Sequence, residues 1–271
     1  MLNKKLLLLL LLLILMVIWF WSSNTKDNIV ETESVSSNAD LMESESEVEV
    51  SVMGEVEYFP GAKGYFARPE AEGNYPGIVM IHENRGLRPE IKEAAESLAK
   101  EGYLVLAVDL FGTTAEDQVG ARALTAAFDQ EMGIANMRAA TEYLREQGAV
   151  KMASLGWCFG GRQSVELATS GEHLDATVVY YGGGVSTSTE VLQPISWPVL
   201  GIFGDEDQIL PVATVLDFSN ALSENGVENE IHIYPGVGHA FANPSGANYA
   251  PEATLDAWEK TLDFLKRHLG S

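Results

Sequence analysis

The hydrophobic residues of this chain fall into short apolar runs that alternate with helical patterns. The runs are continuous and bounded by Gly, Pro or polar residues, which is typical of buried strands. The segments between them repeat apolar residues every three or four positions, which is typical of amphipathic helices. The predicted strands are 77–81, 103–108, 150–155, 176–181, 199–203 and 230–234, and the predicted helices are 89–100, two pieces within 116–147, 160–169, 211–225 and 253–269.

A different pattern precedes these runs. Residues 55–59 and 63–67 alternate between apolar and polar side chains around a Pro-Gly pair, which predicts an antiparallel hairpin. Strands that alternate with helices form a mainly parallel sheet with helices on both faces. The sequence therefore predicts one α/β domain over residues 51–271.

The first 50 residues do not belong to that pattern. Residues 6–21 are an unbroken apolar run that follows Lys4 and Lys5 and ends in aromatic side chains. We interpret residues 1–21 as an uncleaved membrane anchor with its lysines on the cytoplasmic side, and a cleaved signal peptide is the alternative. Residues 22–50 are acidic and serine-rich, which predicts a disordered tether, although the alternation at 48–52 suits a first strand. The domain is then expected outside the cytoplasm.

Charge and cysteine content narrow the function further. The chain has 17 Lys and Arg against 39 Asp and Glu, a net charge of −22. Such a balance argues against nucleic acid or an anionic membrane surface as a partner, so contact with the membrane is expected only through the N-terminal segment. A single cysteine cannot form an internal disulfide, so this thiol is either buried or reactive. The sequence carries no signal for an oligomeric state.

That cysteine lies in the pattern Gly156-x-Cys158-x-Gly160-Gly161, between a predicted strand and a predicted helix. This is the pattern of the nucleophile elbow in α/β-hydrolases, in which small residues let strand and helix approach the nucleophile. The start of the helix favours a negatively charged side chain there. The alternative is that Cys158 is a small buried hydrophobic residue. The elbow makes the predicted fold an α/β-hydrolase fold, with a mainly parallel central sheet and helices on both faces.

Four polar positions follow the carboxyl ends of predicted strands: Glu83, Cys158, Asp207 and His239. Ligands of open α/β sheets bind at this edge. The chain order nucleophile, acid, histidine is the order of the α/β-hydrolase triad. His239 is then the candidate base and Asp207 its orienting partner, with Asp205 as an alternative acid at the same turn.

These residues together resemble the dienelactone hydrolase family. The resemblance covers about residues 52–270 and rests on Gly156-Trp-Cys-Phe-Gly-Gly161, on Gly204-x-x-Asp207, and on Gly238-His-Ala-Phe241. It implies Cys158 as nucleophile, His239 as general base and acid, and Asp207 as its partner. It also implies that Glu83 interacts with the thiol. The backbone N–H groups of Phe159 and Asn84 would form the oxyanion hole.

The chain departs from the family where that family binds a substrate carboxylate with arginines. No arginine follows Asp109-Leu110, and the position four residues after His239 is Asn243. Arg85, Asn243 and Trp157 remain as candidate substrate-binding residues. Arg162 lies on the elbow helix and could pair with Glu166 instead. We therefore expect a substrate other than the dienelactone.

The resulting prediction is a hydrolase of small esters or lactones that works through a Cys-His-Asp triad and an acyl-thioester. Acyl transfer, or cleavage of a thioester or peptide, is the alternative with the same residues. A non-catalytic binding domain on this fold is a further alternative. No cofactor is expected, and the histidines lack the spacing of a metal site.

Overall fold

The computed structural model describes residues 50–270. Within them lie eight strands and seven helices. The strands are β1 (Val50–Phe59), β2 (Ala62–Pro69), β3 (Gly77–Ile81), β4 (Leu104–Val108), β5 (Met152–Trp157), β6 (Ala176–Tyr180), β7 (Val199–Gly204) and β8 (Asn229–Tyr234). The helices are α1 (Pro89–Lys100), α2 (Gln118–Ala127), α3 (Gln130–Glu146), α4 (Phe159–Thr169), α5 (Thr189–Leu192), α6 (Val212–Glu224) and α7 (Pro251–Leu269).

All eight strands form one sheet in the order β1-β2-β4-β3-β5-β6-β7-β8. β1 pairs with β2 and β2 with β4 in antiparallel fashion, and every other neighbouring pair is parallel. The predicted antiparallel hairpin and the predicted, mainly parallel sheet are therefore confirmed. Because β3, β5, β6, β7 and β8 are parallel, their carboxyl ends share one edge of the sheet.

Each face of the sheet is covered by helices. One apolar core contains residues of α3, α4 and α6, and the other contains residues of α1 and α7. The five central strands β3 to β7 are buried at every position, which explains their continuous apolar runs. The predicted α/β-hydrolase arrangement, with helices on both faces, is confirmed.

The bounds of one strand were predicted wrongly, and one short helix was missed. The strand expected at 150–155 begins two residues later and ends at Trp157, directly before Cys158. Val150 lies outside the strand and is 58% exposed, so its apolar side chain does not mark a buried position. The short helix α5 was not predicted, because four residues are too few to show a helical period.

The elbow glycines are required by close backbone contacts. A Cβ added at Gly160 would lie 2.2 Å from the carbonyl oxygen of Ile81 and 2.5 Å from that of His82. Both neighbours are backbone atoms and cannot rotate away, so β3 would have to separate from α4. Gly156 is equally restricted, with the carbonyl oxygen of Gly160 at 2.2 Å from its added Cβ.

We expect Gly160→Ala to lower the free energy of unfolding by about 3 kcal/mol, the upper part of the range for overpacked sites. Gly120→Ala in α2 is the matched control. Its added Cβ would lie 3.1 Å from the Cβ of Ala115 and 3.4 Å from Oδ1 of Asp117, with no closer neighbour. The free energy of unfolding of Gly120→Ala should stay within about 1 kcal/mol of the parent value, since Ala is a better helix former than Gly. Urea unfolding of both variants measures the difference, and equal stabilities would contradict the contact argument.

The predicted anchor at 1–21 and nearly all of the predicted tether at 22–50 lie outside the described residues, and the extracytoplasmic location stays a prediction. β1 begins at Val50, so part of the alternation at 48–52 belongs to the first strand. Among residues 50–270, no helix combines the length and the apolar character needed to cross a membrane.

Candidate active site

Cys158 lies on the sharp turn between β5 and α4. Its backbone has φ 53° and ψ −113°, in the left-handed half of conformational space that residues with a side chain rarely adopt. The turn is held because the Cys158 N–H donates to the carbonyl of Tyr180 at 3.0 Å and the Arg162 N–H donates to the Cys158 carbonyl at 3.2 Å. The strained turn presents a half-buried thiol at the carboxyl edge of the sheet.

A chain of hydrogen bonds leads away from this thiol. His239 Nε2 lies 3.0 Å from Cys158 Sγ, and His239 Nδ1 lies 2.8 Å from Asp207 Oδ2. The carboxylate accepts from Nδ1–H, and Nε2 is the ring nitrogen that faces the sulfur. The next residue, Ala240, has φ 59°, which is costly for alanine and shows how tightly the histidine loop is bent.

The structure distinguishes between the two candidate acids. Asp207 is buried, and its Oδ1 accepts the N–H groups of Ile209 at 2.7 Å and Leu210 at 3.0 Å while Oδ2 faces His239. Asp205 instead accepts the Gly236 N–H at 2.7 Å. The geometry therefore places Asp207 beside the imidazole. Asp205 instead connects the loop after β7 to the loop after β8.

These contacts set the charge of the pair. Burial alone would lower the pKa of His239, but its hydrogen bonds to Asp207 and Cys158 outweigh burial and raise the pKa to about 10. Burial would raise the pKa of Asp207, but hydrogen bonds from His239 and from the Leu210 and Ile209 N–H groups lower it overall. At neutral pH the arrangement thus favours an imidazolium between a carboxylate and the sulfur.

Glu83 follows β3 and lies next to this group. Its carboxylate accepts the Tyr181 hydroxyl at 3.3 Å and also accepts the side-chain amide of Asn243. Sγ of Cys158 is hydrogen-bonded by His239, and within residues 50–270 it has no hydrogen bond to Glu83. The implied role of Glu83 at the thiol stays a prediction. Withdrawal from water raises the pKa of Glu83 to about 7, although Asn243, His239 and Tyr181 act in the opposite direction.

The raised pKa of Glu83 predicts a pH-dependent stability. A carboxyl whose pKa rises from 4.5 to about 7 on folding stabilises the fold fully below pH 4.5, and this contribution is lost as pH rises through 7. Glu83→Gln does not ionise, so its unfolding free energy relative to the parent should increase between pH 4.5 and 8. The upper limit is about 3 kcal/mol, at 1.4 kcal/mol per pKa unit.

Chemical unfolding at several pH values measures this difference. Glu93→Gln, which changes an exposed carboxylate at the rim of the same cavity, is the matched control and should follow the parent at every pH. A constant offset between Glu83→Gln and the parent from pH 4.5 to 8 would contradict the prediction.

The two candidate oxyanion donors are backbone groups at neighbouring turns. Phe159 is the first residue of α4, so its N–H has no acceptor within the helix. Asn84 follows Glu83, and over residues 50–270 its N–H has no protein acceptor. β3 and β5 are adjacent and in parallel register, with Ile81 paired to Gly156, which places both turns at the same edge.

Two recesses flank the triad-like group. A cavity of about 240 Å³ beside Glu83 is bordered by Trp157, Trp258 and Asn243, and its walls do not include Cys158 or His239. A more open groove of about 600 Å³ borders His239. In the part of the chain described, neither recess is lined by Lys or Arg, while three glutamates line the cavity and Glu206 lines the groove.

The candidate substrate-binding residues fall in different places. Trp157 and Asn243 line the cavity, whereas Arg85 lines neither recess. Arg162 pairs with Glu166 on the surface of α4 at 3.3 Å, as the alternative interpretation predicted.

Two residues near the site were missed by sequence reasoning. The ring of Tyr181 contacts His239 edge-on with centroids 5.3 Å apart, and its hydroxyl binds Glu83. His82 is fully buried directly before Glu83. Tyr181 is the last residue of a predicted strand and His82 directly follows one, and this position is the signal that could have identified them.

A possible metal-ligand group lies elsewhere. Glu228, Glu230 and His268 place ligand atoms within 4.8 Å of one another near the start of β8, far along the sheet from its carboxyl edge. Glu230 there already accepts both guanidinium nitrogens of Arg267, at 2.7 and 2.9 Å. The arginine supplies the positive charge that a cation would bring.

The fold is that of an α/β-hydrolase, and comparison with known proteins identifies the family. The family model for the dienelactone hydrolase family matches residues 62–269. A protein of Saccharolobus solfataricus named "Putative carboxymethylenebutenolidase" is 32% identical over 231 residues, covering 70% of this chain and 88% of that protein. The chain belongs to the dienelactone hydrolase family and is a hydrolase of that family.

Solved structures agree with this assignment. A "Putative Dienelactone Hydrolase" from Klebsiella pneumoniae superposes with a TM-score of 0.74 at 25% identity, covering 81% of this chain and 99% of that one. A dienelactone hydrolase-like promiscuous phosphotriesterase from metagenomic libraries gives a TM-score of 0.75 at 26% identity, covering 82% of this chain and 99% of that one.

Proposed function

We propose that this hydrolase cleaves small, uncharged carboxylic esters or lactones through a thioester on Cys158. The observation that carries the proposal is the continuous hydrogen-bond chain from Cys158 Sγ through His239 to Asp207, with distances of 3.0 and 2.8 Å. This is the arrangement in which a histidine exchanges a proton with a nucleophile and a buried carboxylate orients the imidazole.

The first half-reaction forms the thioester. The thiolate of Cys158 attacks the carbonyl carbon, a C–S bond forms, and the carbonyl electron pair moves to oxygen. The N–H groups of Phe159 and Asn84 stabilise that oxyanion, where one such donor contributes about 3 kcal/mol. Collapse of the intermediate breaks the C–O bond, and the leaving alkoxide takes the proton from His239 Nε2.

The second half-reaction returns the enzyme. Water transfers a proton to His239 Nε2 as its oxygen attacks the thioester carbonyl, and the C–S bond then breaks to release the acid and the thiolate. An ester yields an acid and an alcohol, and a lactone yields one hydroxy acid. No redox partner or external proton donor is needed.

Charge around the site supports an uncharged substrate. The cavity and the groove beside the triad are bordered by glutamates, and a substrate carboxylate would meet like charge without a Lys or Arg among the residues that line them. The name of the Saccharolobus relative denotes a lactone hydrolase, which supports a lactone or ester as the reacting group.

A substrate panel tests the proposal. We expect the purified protein to hydrolyse nitrophenyl acetate and an uncharged lactone, and to discriminate against the matching esters that carry a carboxylate. Rapid quenching and mass spectrometry should find the acyl group on Cys158. A thioester, a peptide and a phosphotriester in the same panel identify the alternative reactions, and a rate that rises with an added alcohol would identify acyl transfer.

Absence of turnover with every carbonyl substrate, together with no acyl adduct, would overturn the proposal. That result would favour a binding domain on a hydrolase fold.

A further inference from the structure

His82 is a fully buried histidine whose protonation can be assigned from its partners. The Leu110 N–H donates to His82 Nε2 at 3.1 Å, so this nitrogen carries a lone pair rather than a proton. Nδ1 must then hold the proton, and it lies 2.6 Å from the carbonyl oxygen of Glu83. Burial lowers the pKa of His82, which keeps the ring neutral at neutral pH. The ring is thus a fixed bridge that donates at one nitrogen and accepts at the other.

The hydrogen bond from His82 Nδ1–H to the Glu83 carbonyl affects the direction of the next N–H group along the chain. The Glu83 carbonyl and the Asn84 N–H belong to the same planar peptide group, in which the two point in opposite directions. A hydrogen bond that holds the carbonyl oxygen on the side of His82 therefore aims the Asn84 N–H away from it. Without that bond, the peptide would be held only by the longer hydrogen bond from the Gly86 N–H to the Glu83 carbonyl, at 3.3 Å, because the Asn84 N–H has no protein acceptor among residues 50–270.

The same ring also contacts the segment that carries the other candidate donor. His82 and Phe159 are nearly parallel, with an angle of 17° and centroids 6.1 Å apart. Phe111 packs against both rings, with centroids at 4.9 Å from His82 and 5.0 Å from Phe159. The carbonyl of His82 faces Gly160, where an added Cβ would approach it to 2.5 Å. The residue before Glu83 and the start of α4 therefore pack as one unit.

We propose that His82 is a positioning residue for the oxyanion hole: its Nδ1–H donates to the Glu83 carbonyl and so orients the Asn84 N–H. The inference rests on the proposed function, because it assigns a role to one of the two N–H groups of that mechanism. His82 itself touches no reacting atom, and it acts through the peptide it holds. Asp109, 3.9 Å from Nε2, is already occupied by the N–H groups of Phe111 and Gly112.

Two amide variants separate the two hydrogen bonds of the ring. In His82→Asn the side-chain NH₂ can occupy the place of Nδ1–H and still donate to Glu83. In His82→Gln the longer side chain can reach the Leu110 N–H and accept from it, but the donor to Glu83 is lost. Each variant loses one buried hydrogen bond, so a purely structural role predicts similar losses in stability and activity.

We expect kcat for nitrophenyl acetate to fall about 100-fold in His82→Gln and less than about 5-fold in His82→Asn, with little change in KM. The alkylation rate of Cys158 by iodoacetamide should stay near the parent value in both variants. Alkylation displaces iodide and forms no oxyanion, so it reports the thiolate alone. A loss of hydrolysis without a loss of alkylation is the signature of a misaligned oxyanion hole.

Equal kcat in both variants, or alkylation that falls in parallel with hydrolysis, would overturn the role of His82. Failure of the parent protein to hydrolyse any ester would instead overturn the proposed function, so the two failures are distinguishable. A ¹⁵N NMR spectrum of the parent provides a test that needs no variant. It should show a neutral His82 ring with its proton on Nδ1, and a proton on Nε2 at pH 7 would refute the inference.

Discussion

Replacement of Cys158 with Ala is expected to lower kcat for ester hydrolysis by about 10⁶-fold, the scale seen when a triad nucleophile is removed. In the proposed mechanism Sγ forms the covalent bond, and it lies 3.0 Å from His239 Nε2. Alanine leaves no group that can replace it. Residual activity would come from the oxyanion donors and substrate binding alone.

The fold should tolerate this change. Alanine keeps the Cβ atom, so the turn at φ 53° is no more strained than with cysteine. The free energy of unfolding of Cys158→Ala, measured by thermal unfolding, should therefore lie within about 1 kcal/mol of the parent value. This is the usual range for sites where no cavity is created and no helix cap is lost. Cys158→Ser is the matched chemical control, with a weaker nucleophile at the same place and activity between that of Ala and the parent. Full activity of Cys158→Ala would exclude the thioester mechanism.

Asp207→Asn is expected to reduce kcat by about 10⁴-fold, as loss of the orienting carboxylate does in triads of this type. The asparagine amide can donate to His239 Nδ1, which drives the ring proton to Nε2 and leaves no lone pair to accept a proton there. Removal of the carboxylate also withdraws one of the interactions that raise the pKa of His239. The imidazolium of His239 should then lose its proton at a lower pH than in the parent. The part of the pH–rate profile that reports this proton should shift to lower pH.

The neighbouring Asp205 offers a matched control. Asp205→Asn changes the same functional group at the same turn, but its oxygen binds the Gly236 N–H instead of His239. We expect a loss in kcat/KM of less than about 5-fold, since the bond braces a loop and its net contribution is about 1 kcal/mol. If both substitutions reduce activity equally, Asp207 has no specific role at the imidazole.

The parts of the fold that could be predicted are those specified by local pattern. β3 at Gly77–Ile81 and α1 at Pro89–Lys100 agree with the sequence-based bounds to the residue. Both have clear local signals: a continuous apolar run after a Pro-Gly pair for the strand, and Pro at the start with Gly after the end for the helix. The start of β5 was wrong because Val150 is apolar but exposed, and pairing with β3 and β6 decides where that strand begins.

The candidate site shows the same division. That Cys158, Asp207 and His239 lie at one edge of the sheet could be predicted, because each follows a strand whose carboxyl end is visible in the sequence. The choice between Asp207 and Asp205 could not be made, because two residues at one turn differ only in where the fold points their side chains. Tyr181 and His82 lie at the ends of predicted strands, but their contacts with His239 and Leu110 could not be predicted, because those partners are distant in sequence.

The sequence by itself determined the order of strands and helices, the elbow around Cys158, and the set of polar residues at the carboxyl edge. Local propensity and hydrophobic period carry that information, and neither depends on distant parts of the chain. Only the tertiary structure decided which side chains share a hydrogen bond, which tautomer His82 adopts and how strongly the pKa values of Glu83 and His239 are raised. Those properties depend on burial and on partners brought together by sheet pairing, and short-range pattern does not contain them.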